Sequence, residues 1–519
     1  MHVRAFTQDT SSNVSNPGTF FGAQEKLTYI KELGFNAVEL MPIMEFNECE
    51  LDSKNPITNT PLVNFWGYST LNFFSIMKRY SKSENPAEVE KEFFEFVKKC
   101  HSLDISVILD VVYNHTGEFF HKTPFCSFFE LAPTEYYIME GPSHTNYTGC
   151  GNTFNCNSTH SINLIIDSLC YFIEKFDIDG FRFDLGSIFL RDTSGSILKE
   201  SPIILAIQNH PKLKNKILIS EPWDAAGGYH VGSFPKPFLE WNGWYRDVIR
   251  QFFNLGNIYI YDLMQALTGS PRLYQRYKSP QASINFITSH DGFSLFDLVS
   301  FSQKHNTMNG EENRDGSNHN LSTNFGIEGA TDNSTINFLR KKQILNFYIS
   351  LFFSFGTPMF TMGDEYGHTK NGNNNSWCQD NEINYFQWNN QDHLLLEACK
   401  DLIALRKTIL FYKQEDYSFL EHIKFHDAEG NPPEPHSYGN FLGMSFYDKA
   451  NKIHFYLALN ASTNNFIVKL PKPKTSNPWK LHFDSYYAAA HKKMNILSIS
   501  DEHPITAQTC WIALAQDLN

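Results

Sequence analysis

The chain lacks any apolar run long enough to cross a membrane, and its opening "MHVRAFTQDT" has no hydrophobic core of a signal peptide. An apolar stretch such as Leu345–Phe355 reads as a buried helix, so no membrane partner is expected. Basic charge is in deficit: 43 Lys and Arg stand against 56 Asp and Glu, a formal net charge of −13. That balance argues against nucleic acid, because phosphate binding needs a basic face. The nine cysteines are odd in number and scattered, which fits no disulfide framework. Cys150 and Cys156 are separated by more than a zinc pair allows, and the thiols are expected to be mostly reduced and buried, as in the cytoplasm. No glycine-rich phosphate loop or G-x-S-x-G elbow occurs, and the strand-end Asp, Glu and His residues lack the H-x-x-x-H spacing of a zinc site, so nucleotide, serine-hydrolase and zinc-hydrolase chemistry have no support there. Internal repeats and low-complexity linkers are also missing.

What is present is a globular chain of 519 residues, 41% hydrophobic and 19% charged, long enough for two or three domains. Aromatics reach 15%, with 46 Phe and 24 Tyr. Such a surplus suits stacking on sugar rings, although phenylalanine-rich cores also produce it. Over the first four hundred residues strand-like runs alternate with helical patterns. Strands are expected at His2–Thr7, Asn36–Ile43, Ser106–Asn114, Gly180–Leu185, Lys216–Trp223, Ser283–His290 and Pro358–Glu365, with a weak one in Leu239–Asp247. Helices are expected at Ala23–Leu33, Asn85–Leu103, Ser161–Phe176 and Leu394–Lys407. This order predicts a (β/α)8 barrel with long βα loops over residues 1–408. From about Ile409 the texture changes to short strands separated by turns, predicting an antiparallel β-sandwich over 409–519.

Within "GFRFDLGSIF" (Gly180–Phe189) an arginine and an aspartate interrupt apolar residues. Alternation places Phe181, Phe183 and Leu185 on one face of a strand, and Arg182 with Asp184 on the other. Buried charges persist only when paired or used. In a barrel of this kind the chemistry sits at the carboxyl ends of the strands. There the polar residues are Asp110, Asn114, His115, Arg182, Asp184, Glu221, His290 and Asp291. Asp184 and Glu221 are separated by roughly one βα unit, so they are expected on adjacent strands at one rim, where a retaining glycosidase carries its carboxyl pair. A structural ring of ion pairs is the competing reading.

The stretches "DVVYNH" (Asp110–His115), "GFRFDLGS" (Gly180–Ser187), "ISEPWD" (Ile219–Asp224) and "FITSHDG" (Phe286–Gly292) resemble, in order, the four strand-end motifs of the α-amylase superfamily. "NFWGYSTLNFFS", "GCGNTFNCN", "EWNGWYRD", "NGEENRDGSNHN" and "NNNSWCQDNEINYFQW" narrow the resemblance to isoamylase-type debranching enzymes of glycogen and starch, over essentially the whole chain. The resemblance implies that Asp184 is the nucleophile, Glu221 the general acid/base and Asp291 a carboxylate that stabilises the transition state. It implies that His115 and His290 bind hydroxyls of the reacting glucose, that Tyr68 is an aromatic platform beneath it, and that Arg182 supports the nucleophile. Asn114 matches a calcium-binding position of many amylases, but the other ligands are not recognisable; no metal and no cofactor are expected. "NLSTNFGIEG" (Asn320–Gly329) lacks the tryptophan many debranching relatives carry there.

The implied activity is hydrolysis of α-1,6 branch linkages in glycogen, starch or limit dextrins. The alternatives are a catalytically impaired glucan-binding subunit, or an α-1,4-acting or trehalose-forming relative. Relatives of this type carry a glycan-binding β-sandwich ahead of the barrel. Because "HVRAFT" stands at the start here, that module is expected to be missing, through truncation or loss.

Overall fold

The structure, a computed structural model, describes residues 1–118, 127–490 and 496–517. Two compact units make up the chain. One comprises Met1–Trp241, Met308–Gly310 and Ser376–Asn389; the other comprises Asn242–Thr307, Glu311–Asn375 and Asn390–Asn519.

In the first unit five parallel strands lie side by side in chain order: β1 (Ala37–Leu40), β2 (Ser106–Val111), β3 (Gly180–Phe183), β4 (Ile217–Ser220) and β5 (Leu239–Trp241). β2 and β3 are buried almost throughout, as strands covered on both faces must be. The helix Pro86–Ser102 leads into β2, with proline at its start and Asn85 accepting the Ala87 N–H at 3.0 Å. Its buried Val89, Phe93, Phe96, Val97 and Cys100 recur at helical spacing and face inward. Thr159–Phe176 leads into β3 in the same way, capped by Ser158 and ended by Asp177 in the left-handed region. The strand–helix alternation is that of a (β/α)8 barrel.

Register along these strands decides what meets at the rim. Asp110 pairs with Arg182, and Arg182 with Ile219. Beyond the strand ends the ladder continues, the Asp184 N–H donating to Val111 O at 3.1 Å and the Glu221 N–H to Phe183 O at 3.0 Å. Gly180 permits the close approach of β3 to β4, since a Cβ there would lie 2.4 Å from Ile217 O.

The expected strand at His2–Thr7 is instead a helix, Val3–Thr7. The His2 ring accepts the Ala5 N–H at 3.1 Å and caps it, while Val3 and Phe6, one turn apart, are buried. Phe6 packs on Phe386 and Trp388, so an interior contact overrides strand propensity. The helix expected over Ala23–Leu33 divides at Lys26 into Phe20–Glu25 and Leu27–Leu33. The weak strand in Leu239–Asp247 stops at Trp241, because Asn242 caps the helix Gly243–Arg250 by accepting the Tyr245 N–H. Leu185, expected on the strand face, lies beyond β3 in the left-handed region with φ 39°.

The second unit holds the parallel pair β6 (Ser283–Asn285) and β7 (Thr357–Pro358), with the helices Ser334–Phe352 and His393–Thr408. Its C-terminal part is antiparallel. The strands are β8 (Lys424–His426), β9 (Phe441–Asp448), β10 (Ile453–Asn460), β11 (Phe466–Lys469), β12 (Lys480–Asp484), β13 (Glu502–Ile505) and β14 (Thr509–Gln516). β8, β9, β10, β14 and β12, followed by Leu497–Ser498, form one sheet, and β11 pairs with β13. Val468 and Ile505 from the two-stranded pair pack with Tyr456, Trp511 and Ala513 of the larger sheet and with Trp479, which precedes β12. Helix Ser334–Phe352 docks on the same domain through polar contacts. Lys342 Nζ donates to Ala507 O at 2.8 Å and Asn346 Nδ2 to Gln508 O at 3.0 Å.

Trp511 is fully buried and stacked on Tyr456. Trp511→Ala is expected to cost about 3–5 kcal/mol. Chemical denaturation monitored by far-ultraviolet circular dichroism checks this; an unchanged midpoint would show that the tryptophan does not hold the domain.

Candidate active site

At the carboxyl end of the first unit's sheet one guanidinium organises everything. Arg182 is fully buried. Its Nη1 donates to Asp110 at 2.8 and 3.0 Å and to Asp184 Oδ1 at 3.0 Å, and its Nη2 lies 2.7 Å from Glu221 Oε2. The Trp241 ring covers the cation, 4.1 Å from Cζ to ring centroid. One positive charge thus faces three carboxyls, too few to balance them if all are ionised. Burial pushes Glu221 up to about 8, against the pull of Arg182 and with the push of Asp184. Asp110 rises to about 6 for the same reason. Protons are therefore retained at neutral pH, chiefly on Glu221.

The two oxygens of Glu221 are not equivalent. Oε2 accepts the Leu185 N–H at 2.9 Å and also faces Arg182, so the proton belongs on Oε1. Leu185 reaches Glu221 only because its backbone is left-handed, a strained conformation for a branched residue. Asp184 is held at both oxygens, Oδ1 by Arg182 and Oδ2 by Asn114 Nδ2 at 2.7 Å. Asn114 also donates to the Asp184 backbone carbonyl at 2.8 Å. With its amide nitrogen turned to Asp184, Asn114 presents Oδ1 to His115 Nδ1 at 2.6 Å. The proton of His115 therefore sits on Nδ1. Burial lowers the pKa of His115, favouring the neutral ring.

Tyr68 comes from a loop rather than a strand. Its hydroxyl donates to Asp110 Oδ2 at 2.6 Å, and burial raises its pKa well above that of a free phenol. Around it Asn64 accepts the Gly67 N–H, and both Asn64 and Ser69 donate to Glu50 Oε1 at 3.0 Å. Gly67, at φ 85°, presses on Phe46 where a Cβ would not fit. The loop after Glu221 is pinned by Asp224, which pairs with Arg191 at 2.7 Å and accepts the N–H groups of Ala226 and Gly228.

The structure thus brings Tyr68, His115, Arg182, Asp184 and Glu221 together in the first unit. His290 and Asp291 belong to the second, after β6. Lys370 Nζ donates to His290 O at 2.9 Å, and the Gly292 N–H donates to Asn374 O at 3.0 Å. Asp291 is exposed to solvent. Desolvation by the surrounding protein raises its pKa, while Arg246 and Lys370 draw it down. The resemblance gives no role to Asp110 or Trp241, and gives Asn114 only a likeness to a calcium-binding position. Asp110 and Asn114 carry a visible signal, being the polar residues of "DVVYNH". Trp241 lies in "EWNGWYRD", but that stretch does not show its place over Arg182, which depends on β5 following β4.

Residues 3–161 match the family model described as the α-amylase catalytic domain. A glycogen operon protein GlgX homologue of Haemophilus influenzae is 37% identical over 493 residues, 92% of this chain and 72% of that protein. The chain belongs to the α-amylase family, in the branch of the isoamylases and glycogen-operon proteins. Isoamylase SU1, chloroplastic, of Zea mays is 42% identical over 501 residues. That match takes in 91% of this chain but 63% of the isoamylase, so the chain spans just under two thirds of that relative. Among solved structures, a pullulanase of Paenibacillus barengoltzii in complex with maltohexaose and α-cyclodextrin superposes with a TM-score of 0.76 at 20% identity. The superposition covers all of this chain and 76% of that one. At that identity the likeness establishes the fold, the (β/α)8 barrel followed by antiparallel sheets.

Because Glu221 is protonated more readily in the folded chain than in the unfolded one, it weakens folding as pH rises from about 4.5 toward 8. Below that window the penalty vanishes, and above it the penalty is constant. Glu221→Gln keeps an acceptor for the Leu185 N–H and has no proton to lose. It is expected to gain stability on the order of 2 kcal/mol at pH 9 and nothing at pH 4. Urea midpoints across that range check this, and equal midpoints at pH 9 would contradict the buried, proton-retaining carboxyl.

Proposed function

We propose that this chain is a retaining α-1,6-glucan hydrolase that removes branches from glycogen, starch or limit dextrins. The observation that carries the reading is the pair Asp184 and Glu221 held by opposite nitrogens of one guanidinium, with Glu221 protonated at neutral pH. An ionised carboxylate and a protonated one facing the same cation suit the covalent, retaining route, with one as nucleophile and the other as acid. Family membership and the names of the relatives supply the bond, a branch linkage.

In the proposed sequence Glu221 Oε1 gives its proton to the glycosidic oxygen as the bond to the anomeric carbon breaks. Asp184 attacks that carbon from the opposite side and forms a glycosyl ester. Glu221, now ionised, takes a proton from water. The water oxygen displaces Asp184 from the anomeric carbon, and the α configuration is kept. Asp291 stabilises the positive charge that develops on the sugar, His115 and His290 bind its hydroxyls, and Tyr68 stacks beneath it. Domain assignment follows the same reading, a catalytic barrel over 1–408 and an accessory β-domain over 409–519. The substrate is a neutral branched α-glucan, the location cytoplasmic, and no cofactor takes part.

Four measurements test the reading. Amylopectin treated with the protein should stain more deeply with iodine, whereas linear amylose should stay intact; short products from amylose would overturn debranching. Asp184→Asn should reduce turnover by several orders of magnitude while glucan binding persists. Glu221→Gln should fail on the polymer yet recover on a substrate whose leaving group needs no proton. Equal loss on both substrates would remove Glu221 as the acid. For the wild type, kcat/KM should fall as pH rises through about 8, where Glu221 loses its proton.

A further inference from the structure

Far along the chain from the carboxyl pair, the second unit displays a group of aromatic side chains that the proposed reaction does not use. Ile258–Tyr259 pairs antiparallel with Tyr438–Gly439, so Tyr259 and Tyr438 stand directly opposite each other. Their rings are 5.6 Å apart. Tyr259 OH lies 2.6 Å from His436 Nδ1, and the His436 ring is nearly parallel to that of Tyr261, with centroids 6.4 Å apart. The result is a row, Tyr438, Tyr259, His436 and Tyr261, on the surface. Tyr438 is 67% exposed and His436 is exposed as well.

The row is built on a stiff base. Residues 430–440 read "GNPPEPHSYGN", in which Pro432, Pro433 and Pro435 limit the backbone. The Tyr261 N–H donates to Pro435 O and the Ile260 N–H to Ser437 O, both at 3.0 Å. Rings fixed in this way lose little freedom on binding, which is how a pre-organised surface gains affinity. The site combines ring faces with phenol and imidazole groups. That combination suits a ligand with apolar faces and a hydroxyl rim, and the formal charge of −13 leaves a neutral polymer as the favoured occupant.

We propose that Tyr438, Tyr259, His436 and Tyr261 form a second binding site for an α-glucan chain, separate from the carboxyl pair, which tethers the polymer. This rests on the debranching reading for the identity of the glucan. Tyr438→Ala and the double variant Tyr261→Ala/Tyr438→Ala are compared with wild type by electrophoresis through gels containing glycogen or, as a control, dextran. The double variant is expected to weaken glycogen retardation about fivefold or more, with little retardation by dextran in any form. Activity on a short branched oligosaccharide should stay within twofold of wild type.

Unchanged retardation by glycogen in a double variant of wild-type thermal stability would overturn the proposal. So would equal retardation by dextran, or a change of oligomeric state in light scattering without loss of glucan binding, which would make the row a protein contact. If the wild type hydrolyses no branched α-glucan, the debranching reading fails, while the gel experiment still decides whether this row binds glucan.

Discussion

Arg182 is the charge around which the first unit's rim is assembled. A guanidinium with no exposure needs carboxyls near it, and the strands supply them from three places in the chain, at 110, 184 and 221. Strand register then becomes a chemical matter, since slipping β2 against β3 by one residue would turn Asp110 away from Arg182. The requirement also runs outward, to the Trp241 ring over the cation and the Tyr68 hydroxyl on Asp110. With three acids sharing one base, the excess negative charge is relieved by keeping protons. Glu221 is the group that keeps one most strongly, and so the structural solution leaves an acid in place at neutral pH.

Much of this was legible beforehand because strand ends in a barrel concentrate polar residues in short motifs. Arg182 and Asp184 stood out as charges among phenylalanines, and Glu221 followed an apolar run, "KILIS". The partners of those residues were harder to read. Asn114 looks like a candidate metal ligand by motif, yet here its amide bridges Asp184 and His115. Trp241 stands in "EWNGWYRD", but its position over Arg182 is set by sheet order, which that pattern does not encode. The first expected strand failed for a related reason. "HVRAFT" has β-branched and aromatic residues, but the ring of His2 captures the Ala5 N–H, and Phe6 finds its apolar partners at 386 and 388.

The C-terminal sheets show the other side of that lesson. Their alternation and turn residues announced antiparallel strands clearly, because each hairpin is a local event. What could not be read was their seam with helix Ser334–Phe352. There Lys342 and Asn346 donate to backbone carbonyls more than a hundred and fifty residues away, replacing a linker with hydrogen bonds. A polar seam is directional, so it specifies one docking orientation more sharply than an apolar one of equal area would.

The orientation of one side-chain amide has an evolutionary corollary. Asn114 donates to Asp184 and accepts from His115, so its two ends are chemically unlike and both are in use. An aspartate there has nearly the same shape but would set acceptor against acceptor at Asp184, or else need a proton of its own. Position 114 is thus closed to the substitution that shape alone would make easiest. A lineage that drifted through it would keep an acceptor for the His115 N–H but would have to change the setting of Asp184 in the same step.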